Sequence, residues 1–256
     1  MPRSGTDTRT SIETRPLSDP LAALLKCDPE LAEGLSEEAE ARARTRVLAE
    51  VRHYPRGNWG VGPDDFDPWG SLGLLIIDGL MTRAVTVADY TCAGLLGPGD
   101  VLQPWLRIGP DHSVAADVDW RIVEPVQMAV LDRSFMDSLA EWPEITATVS
   151  RRIMQRLHWL AFHLAVCGLR RIEERVLLVL WHFADRWGTV TGEGVRLNVP
   201  LTHELLAAVI GARRPSVTVA LRRLSEQQRV RAAPRSRWLL LGQPPSELRA
   251  LHDRTR

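Results

Sequence analysis

At 256 residues the chain is long enough for two domains, each with its own core, and 45% hydrophobic with 25% charged residues is ordinary for a soluble globular protein. The three cysteines, Cys27, Cys92 and Cys167, are far apart and form no C-x-x-C, which argues against a disulfide framework and a zinc knuckle. The net charge is zero but uneven: residues 60–120 carry nine aspartates against two arginines, and residues 201–240 carry eight arginines against two glutamates, as in an acidic domain joined to a nucleic-acid-binding one.

Residues 1–16 are polar and aperiodic and are expected to be a disordered tail without an apolar signal core. No apolar run approaches the roughly 18 residues needed to span a membrane, so a cytoplasmic protein with no membrane partner is expected. Leu17–Arg46 reads as short helices: Ser18-Asp19-Pro20 is a start signal, and Leu21, Leu24 and Leu25 form a stripe. Asp28-Pro29 starts a further turn, and Glu37–Arg46 is a solvated face. From Val47 the pattern is one of strands and turns. Val47–Val51 is followed by a Pro/Gly/Asp-rich loop, Pro55–Gly70. The apolar run Leu72–Ile77, a hairpin turn at Asp78-Gly79 and a returning strand Leu80–Val87 come next. Thr91–Leu96 leads into the turn Gly97-Pro98-Gly99-Asp100, and Val114–Val118, Trp120–Val123 and Val126–Leu131 complete a small antiparallel barrel or jelly roll.

At Phe135 the period becomes helical again, and Trp142-Pro143-Glu144 opens a long helix to about Val166. Ile153, Leu157, Leu160, Leu164 and Cys167 step by 4, 3, 4 and 3, a seam suited to self-association. Gly168 is a candidate hinge. Arg170–Trp187 is a second amphipathic helix, with Val176, Leu180, Phe183 and Trp187 inward. Gly188–Gly194 reads as a loop and Val195–Val199 as a short strand.

Leu201–Leu224 has the pattern of a helix-turn-helix. Thr202 caps the first helix, whose apolar face is Leu205, Ala208 and Val209, and small Ala207 and Ala208 allow close packing. Gly211 suits a left-handed helix end, and Pro215 the first turn of the second helix, which buries Val217, Leu221 and Leu224. The outward face of that second helix is basic. Arg214, Ser216, Thr218, Val219 and Arg222 are the candidates to read bases in a major groove. Arg229–Ala232 and Arg237–Leu241 flank Ala233-Pro234-Arg235-Ser236 as a basic wing. Phosphate contacts are expected from Arg213, Arg223, Arg231, Arg235 and Arg237.

Strand-rich roll, seam helix, hinge and winged helix-turn-helix, in that order over residues 20–241, resemble the Crp/Fnr family of bacterial transcription regulators. The most specific parts are Leu201–Leu224 and Leu95-Leu96-Gly97-Pro98-Gly99-Asp100, which looks like the glycine turn of the family's roll. The resemblance implies an α+β fold: an N-terminal antiparallel β-roll of the cyclic-nucleotide-binding type, a long dimerisation helix and a C-terminal winged helix-turn-helix. The corresponding segments are residues 17–138, 139–168 and 169–242, between a tail at 1–16 and another at 243–256. It also implies a homodimer on double-stranded, palindromic promoter DNA, with RNA polymerase as a further partner. By position, Arg214 matches the guanine-reading arginine, Ser216 a backbone-contacting hydroxyl and Arg222 a later basic position.

The departures are specific. Pro215 and Val219 stand where well-known members have an acidic and a second arginine reader, Arg213 where a serine cap is common, and the wing lacks its usual glycine. After Asp100 there is no Gly-Glu and no Arg-Ala to grip a cyclic phosphate, and Arg107 is the only arginine before Arg121, among aspartates. Cyclic AMP is therefore not the expected effector, and no cofactor is expected. One N-terminal cysteine, Cys27, is too few for an oxygen-sensing iron–sulfur cluster.

Other constellations carry less. His163 and Cys167 lie four apart and could share a metal, with His158 five before His163, but packing at the seam is the simpler account. Trp59, Trp69, Trp105 and Trp120 could line a small-molecule pocket, although tryptophan in a β-roll is usually core. Two further readings stay open: an effector- or partner-binding protein whose winged helix mediates protein contacts, and a metal-dependent, cupin-like enzyme. The second has only His53 and His112 in its barrel, and no G-x-S-x-G, Walker loop or dinucleotide fingerprint occurs, so no enzyme is expected.

Overall fold

The structure, a computed structural model, describes residues 17–60, 66, 70–105, 113–114 and 116–245. The N-terminal stretch 1–16, Trp69, Arg107, His112 and tail residues 246–256 lie outside the described residues. The chain divides into two units: Met1–Arg83, Leu96–Ser113 and Val118–Ile153 make the first, and Ala84–Leu95, Val114–Asp117 and Met154–Arg256 the second.

The first stretch corrects the sequence expectation of helices from Leu17. Leu17–Ala23 is a strand, β1, antiparallel to β2 (Leu48–Tyr54), with Leu17 opposite His53 and Ala23 opposite Leu48. Pro20 falls where the register shifts between Asp19 and Ala22, at one end of the sheet order. A residue without an N–H is tolerated at such an edge bulge, which is why the Ser-Asp-Pro signal does not start a helix here. Helices follow as α1 (Leu24–Cys27), a 3-10 turn (Pro29–Ala32) and α2 (Glu37–Arg46), the last capped by Ser36.

The sheet continues with β3 (Gly57–Trp59), β4 (Gly73–Val87), β5 (Tyr90–Leu96), β6 (Val101–Leu102) and β7 (Asp117–Leu131). Its order is β1-β2-β7-β4-β5, with β3 on β7 and β6 on β4. Two long strands replace five expected short ones. Asp78-Gly79 does not turn the chain. Gly79 has φ +92°, and a Cβ there would stand 2.1 Å from the carbonyl oxygen of Pro125 in β7. Glycine therefore lets β4 bend past its neighbour without ending. The real hairpin turn is at Ala88-Asp89, with Ala88 at φ +51°. In β7, Pro125 lies between the segment paired with β3 (Trp120–Ile122) and the segment paired with β2 (Val126–Val130). It thus falls outside both of those pairings.

The run Leu74-Leu75-Ile76 is fully buried because β4 has a core on each face. Leu75 joins Leu24, Leu25, Val47, Leu131, Phe135 and Trp142 on one side, while Leu74 and Ile76 join Tyr54, Trp59, Met81, Ile122 and Met128 on the other. Trp59 sits edge-on to Trp120 and Tyr54, and so packs as core. The expected turn at Gly97–Asp100 is present: the buried Asp100 carboxylate accepts the Gly97 N–H at 2.9 Å, and Gly99 has φ +87°. In the same unit Arg152 pairs with Asp28 and Glu30.

Asp132 caps α3 (Arg133–Ser138), and α4 (Pro143–Cys167) is the long helix expected from the sequence, ending at Gly168. The second unit then adds α5 (Ile172–Trp187), β8 (Gly188–Thr191), β9 (Gly194–Leu197), α6 (His203–Val209), α7 (Arg214–Glu226), β10 (Val230–Ala233) and β11 (Arg237–Leu240). The expected loop Gly188–Gly194 is half of a hairpin, in which Thr191 and Gly194 pair across a Gly192-Glu193 turn. Strand order in this small sheet is β10-β11-β9-β8. Its core gathers Val176, Leu180, Phe183, Leu197, Leu206, Ile210, Val217, Leu221, Leu224 and Leu240.

Candidate nucleic-acid interface

Local chemistry shapes the helix pair. Thr202 Oγ1 accepts the Leu205 N–H at 3.1 Å and so caps α6. The helix ends in a left-handed glycine motif: Gly211 has φ +61°, and the Ala212 N–H returns to the Ala207 carbonyl at 2.9 Å. Leu206, Ala207, Val209 and Ile210 are buried, whereas Leu205 and Ala208 are half-buried, so the apolar face is rotated from the one expected. In a two-turn helix written Leu-Leu-Ala-Ala-Val-Ile, either stripe satisfies the 3–4 spacing, and packing selects between them. In α7, Pro215 occupies the first turn and Val217, Ala220, Leu221 and Leu224 face inward. Arg213 stands at the N-cap without a side-chain cap bond, as its identity implies.

The residues assigned to base reading, Arg214, Ser216, Thr218, Val219 and Arg222, are all exposed on α7. The Thr218 hydroxyl donates to the Arg214 carbonyl at 3.1 Å and lies 2.9 Å from His203 Nδ1. Arg222 is 3.3 Å from Glu226. Among the phosphate candidates, Arg213 and Arg235 are exposed. Arg223 pairs with Glu173 at 2.5 Å, which holds the Glu173 carboxyl below its usual range, and Arg231 pairs with Glu193 at 2.9 Å. Exposed pairs of this kind are worth little. Arg237 is half-buried, and its Nε finds no partner among the described residues.

Sequence reasoning missed His203 and Trp238. The rings stack at 5.9 Å, and Trp238 Nε1 donates to the Leu201 carbonyl at 2.9 Å. With Thr202, Arg214, Ser236 and Arg237 they line a concavity of about 400 Å³. A lone tryptophan on an otherwise basic wing was the one signal for it.

The long helix α4 keeps its apolar row open. Ile153, Leu157, Leu160 and Leu164 are exposed, Leu157 by 53% and Leu164 by 74%, and Met154 extends the row. Single exposed leucines need no explanation, but a contiguous row along one helix does. Among the described residues no group of three His, Cys, Asp or Glu is arranged to hold a metal, and no helix is long and apolar enough to cross a membrane.

Residues 174–246 match the family model of the Crp-like helix-turn-helix domain. The chain is 30% identical over 128 residues to the CRP-like cAMP-activated global transcriptional regulator of Mycobacterium tuberculosis. That stretch is 50% of this chain and 56% of the relative, so the match spans about half the relative's length. Among solved structures, a CooA mutant from Carboxydothermus hydrogenoformans superposes with a TM-score of 0.62 at 17% identity, covering 89% of this chain and 94% of that one. FixK2 from Bradyrhizobium japonicum gives 0.57 at 18% identity, covering 80% and 96%. Fold and motif together define an antiparallel sheet domain ahead of a Crp-like helix-turn-helix. Residues 174–246 thus carry a Crp-like helix-turn-helix domain, and the chain is similar in fold to solved regulators of the Crp/Fnr kind.

Proposed function

We propose that this chain is a cytoplasmic, sequence-specific regulator of transcription that binds palindromic promoter DNA as a homodimer. The observation that carries the reading is the exposed face of α7. Arg214, Ser216, Thr218, Val219 and Arg222 stand on one short helix beside a basic wing, on a buried apolar underside. Arginine pairs bidentately with guanine, and threonine or valine can touch a thymine methyl. Arg213, Arg223, Arg231, Arg235 and Arg237 supply phosphate contacts around it. The apolar row on α4 supports the dimer, because reading a palindrome needs a two-fold axis and the row needs cover. RNA polymerase is the natural further partner.

The effector in this proposal is not cyclic AMP. The Gly-Glu and Arg-Ala that would hold the cyclic phosphate are missing after Asp100. No cofactor is required.

The test is sequencing of genomic fragments captured by the purified chain without added effector. A recovered palindrome with half-sites about one helical turn apart supports the proposal. Absence of capture at low salt, with and without nucleoid-derived small molecules, overturns it.

A further inference from the structure

The second unit holds a cluster that DNA reading does not use. Cys92 lies on β5, and His163 and Cys167 lie one turn apart at the end of α4. Both thiols approach one acceptor, the carbonyl oxygen of Val209 in α6, Cys92 at 4.0 Å and Cys167 at 3.9 Å. Cys92 Sγ also lies 3.7 Å from His163 Nε2. His163 is only 5% exposed, and its Nδ1 has no partner among the described residues. A buried imidazole with an orphaned nitrogen beside two half-buried thiols is costly unless the cluster has a use. Metal binding is not that use, since the three are not arranged as metal ligands.

We infer that Cys92 and Cys167 form a hydroperoxide-reactive thiol pair, with Cys92 the attacking sulfur and Cys167 the resolving one. The assignment follows from the geometry: it is Cys92 whose sulfur faces His163 Nε2, at 3.7 Å. The neighbouring Cys167 thiol and the His163 contact hold the Cys92 thiol down to about 5. The neighbouring Cys92 thiol and burial push Cys167 well up, against the charge of Arg175. Cys92 is therefore the readier of the two thiols to ionise. The thiolate is the nucleophile.

The chemistry balances with a hydroperoxide as oxidant. The Cys92 thiolate attacks the terminal peroxide oxygen; the O–O bond breaks, and the leaving oxygen departs as water or alcohol after taking up a proton. Cys92 is now a sulfenic acid, oxidised by two electrons. The Cys167 sulfur then attacks the Cys92 sulfur. An S–S bond forms, the S–O bond breaks, and hydroxide leaves with the Cys167 proton as a second water. Two thiols and one hydrogen peroxide give one disulfide and two waters. His163 is a positioning residue that orients the Cys92 sulfur. Closure withdraws both thiol donors from Val209, two residues before Gly211, whose carbonyl accepts the Tyr90 hydroxyl at 2.9 Å. The inference stands on thiol chemistry and does not depend on DNA binding.

The experiment treats the reduced full-length chain with stoichiometric hydrogen peroxide, blocks free thiols with an alkylating agent and maps peptides by mass spectrometry. The expected result is a loss of 2 Da per chain, an intrachain Cys92–Cys167 crosslink, and the exposed Cys27 still free. Cys167→Ser should leave Cys92 as a sulfenic acid that a dimedone probe captures. Cys92→Ser should slow peroxide-dependent thiol loss at Cys167 by about tenfold or more. His163→Gln should shift the pH profile of Cys92 alkylation upward, with circular dichroism confirming the fold. Equal oxidation of Cys27 and Cys92, a crosslink between chains, or thiols blocked until a chelator is added would each overturn the inference.

Discussion

At the residue scale, Arg214 is the most direct test of the proposed interface. Arg214 is exposed at the first position of α7, with Thr218 back-bonded to its carbonyl. Arg214→Ala should cost about 1–3 kcal/mol on the cognate site and relax preference at one base pair, measured by competition binding against single-base variants. Unchanged affinity removes it from the readers. A second residue sets the response to acid. Burial, with Arg186, His163 and Arg156 nearby, lowers His182 from its ordinary value of 6.5 to about 4. Its ring packs between Trp159 and Phe162, and its Nε2 has no partner among the described residues. The folded state therefore binds fewer protons than the unfolded chain between about pH 6.5 and 4. Stability is full above 6.5 and falls as pH drops through that window. His182→Gln should flatten the decline of Tm between pH 7 and 5; an unaltered slope would place the acid sensitivity elsewhere.

At the element scale, capping and seams decide the outcomes. Thr202→Ala removes the acceptor for the Leu205 N–H and should cost about 1 kcal/mol in denaturant unfolding of the second unit. Leu160 lies mid-row on α4, and a charge there cannot be covered by a second copy. Leu160→Glu should give monomers by light scattering while leaving helix content intact; a persistent dimer would move the interface off this row. The elements also show where sequence signals mislead. Thr202, Gly211 and Pro215 were legible as cap, helix end and first turn because each acts through its own backbone within a few residues. Pro20, Asp78-Gly79 and Gly188–Gly194 were not. For the first two the partner lies far along the chain, Pro20 at a bulge opposite β2 and Gly79 close to Pro125, whereas Gly188–Gly194 pairs locally with β9, which in turn pairs with the distant β11.

At the scale of the whole molecule, the charge split predicts how binding varies with salt. Each phosphate neutralised by an arginine releases counterions. Arg235→Ala, at an exposed left-handed position on the wing, should weaken all DNA sequences alike and lower the slope of log K against log salt by about 1. A sequence-dependent loss would instead make Arg235 a base reader.

The sequence alone determined the order of β-roll, long helix and winged helix-turn-helix, and the exposed basic face of α7. Hydrophobic period, turn residues and charge are local properties that survive without coordinates. The tertiary structure alone decided the two 15-residue strands, the choice of buried stripe on α6, and the meeting of Cys92, His163 and Cys167 around the Val209 carbonyl. Those outcomes depend on contacts between residues far apart in the chain, and no spacing within one segment encodes them.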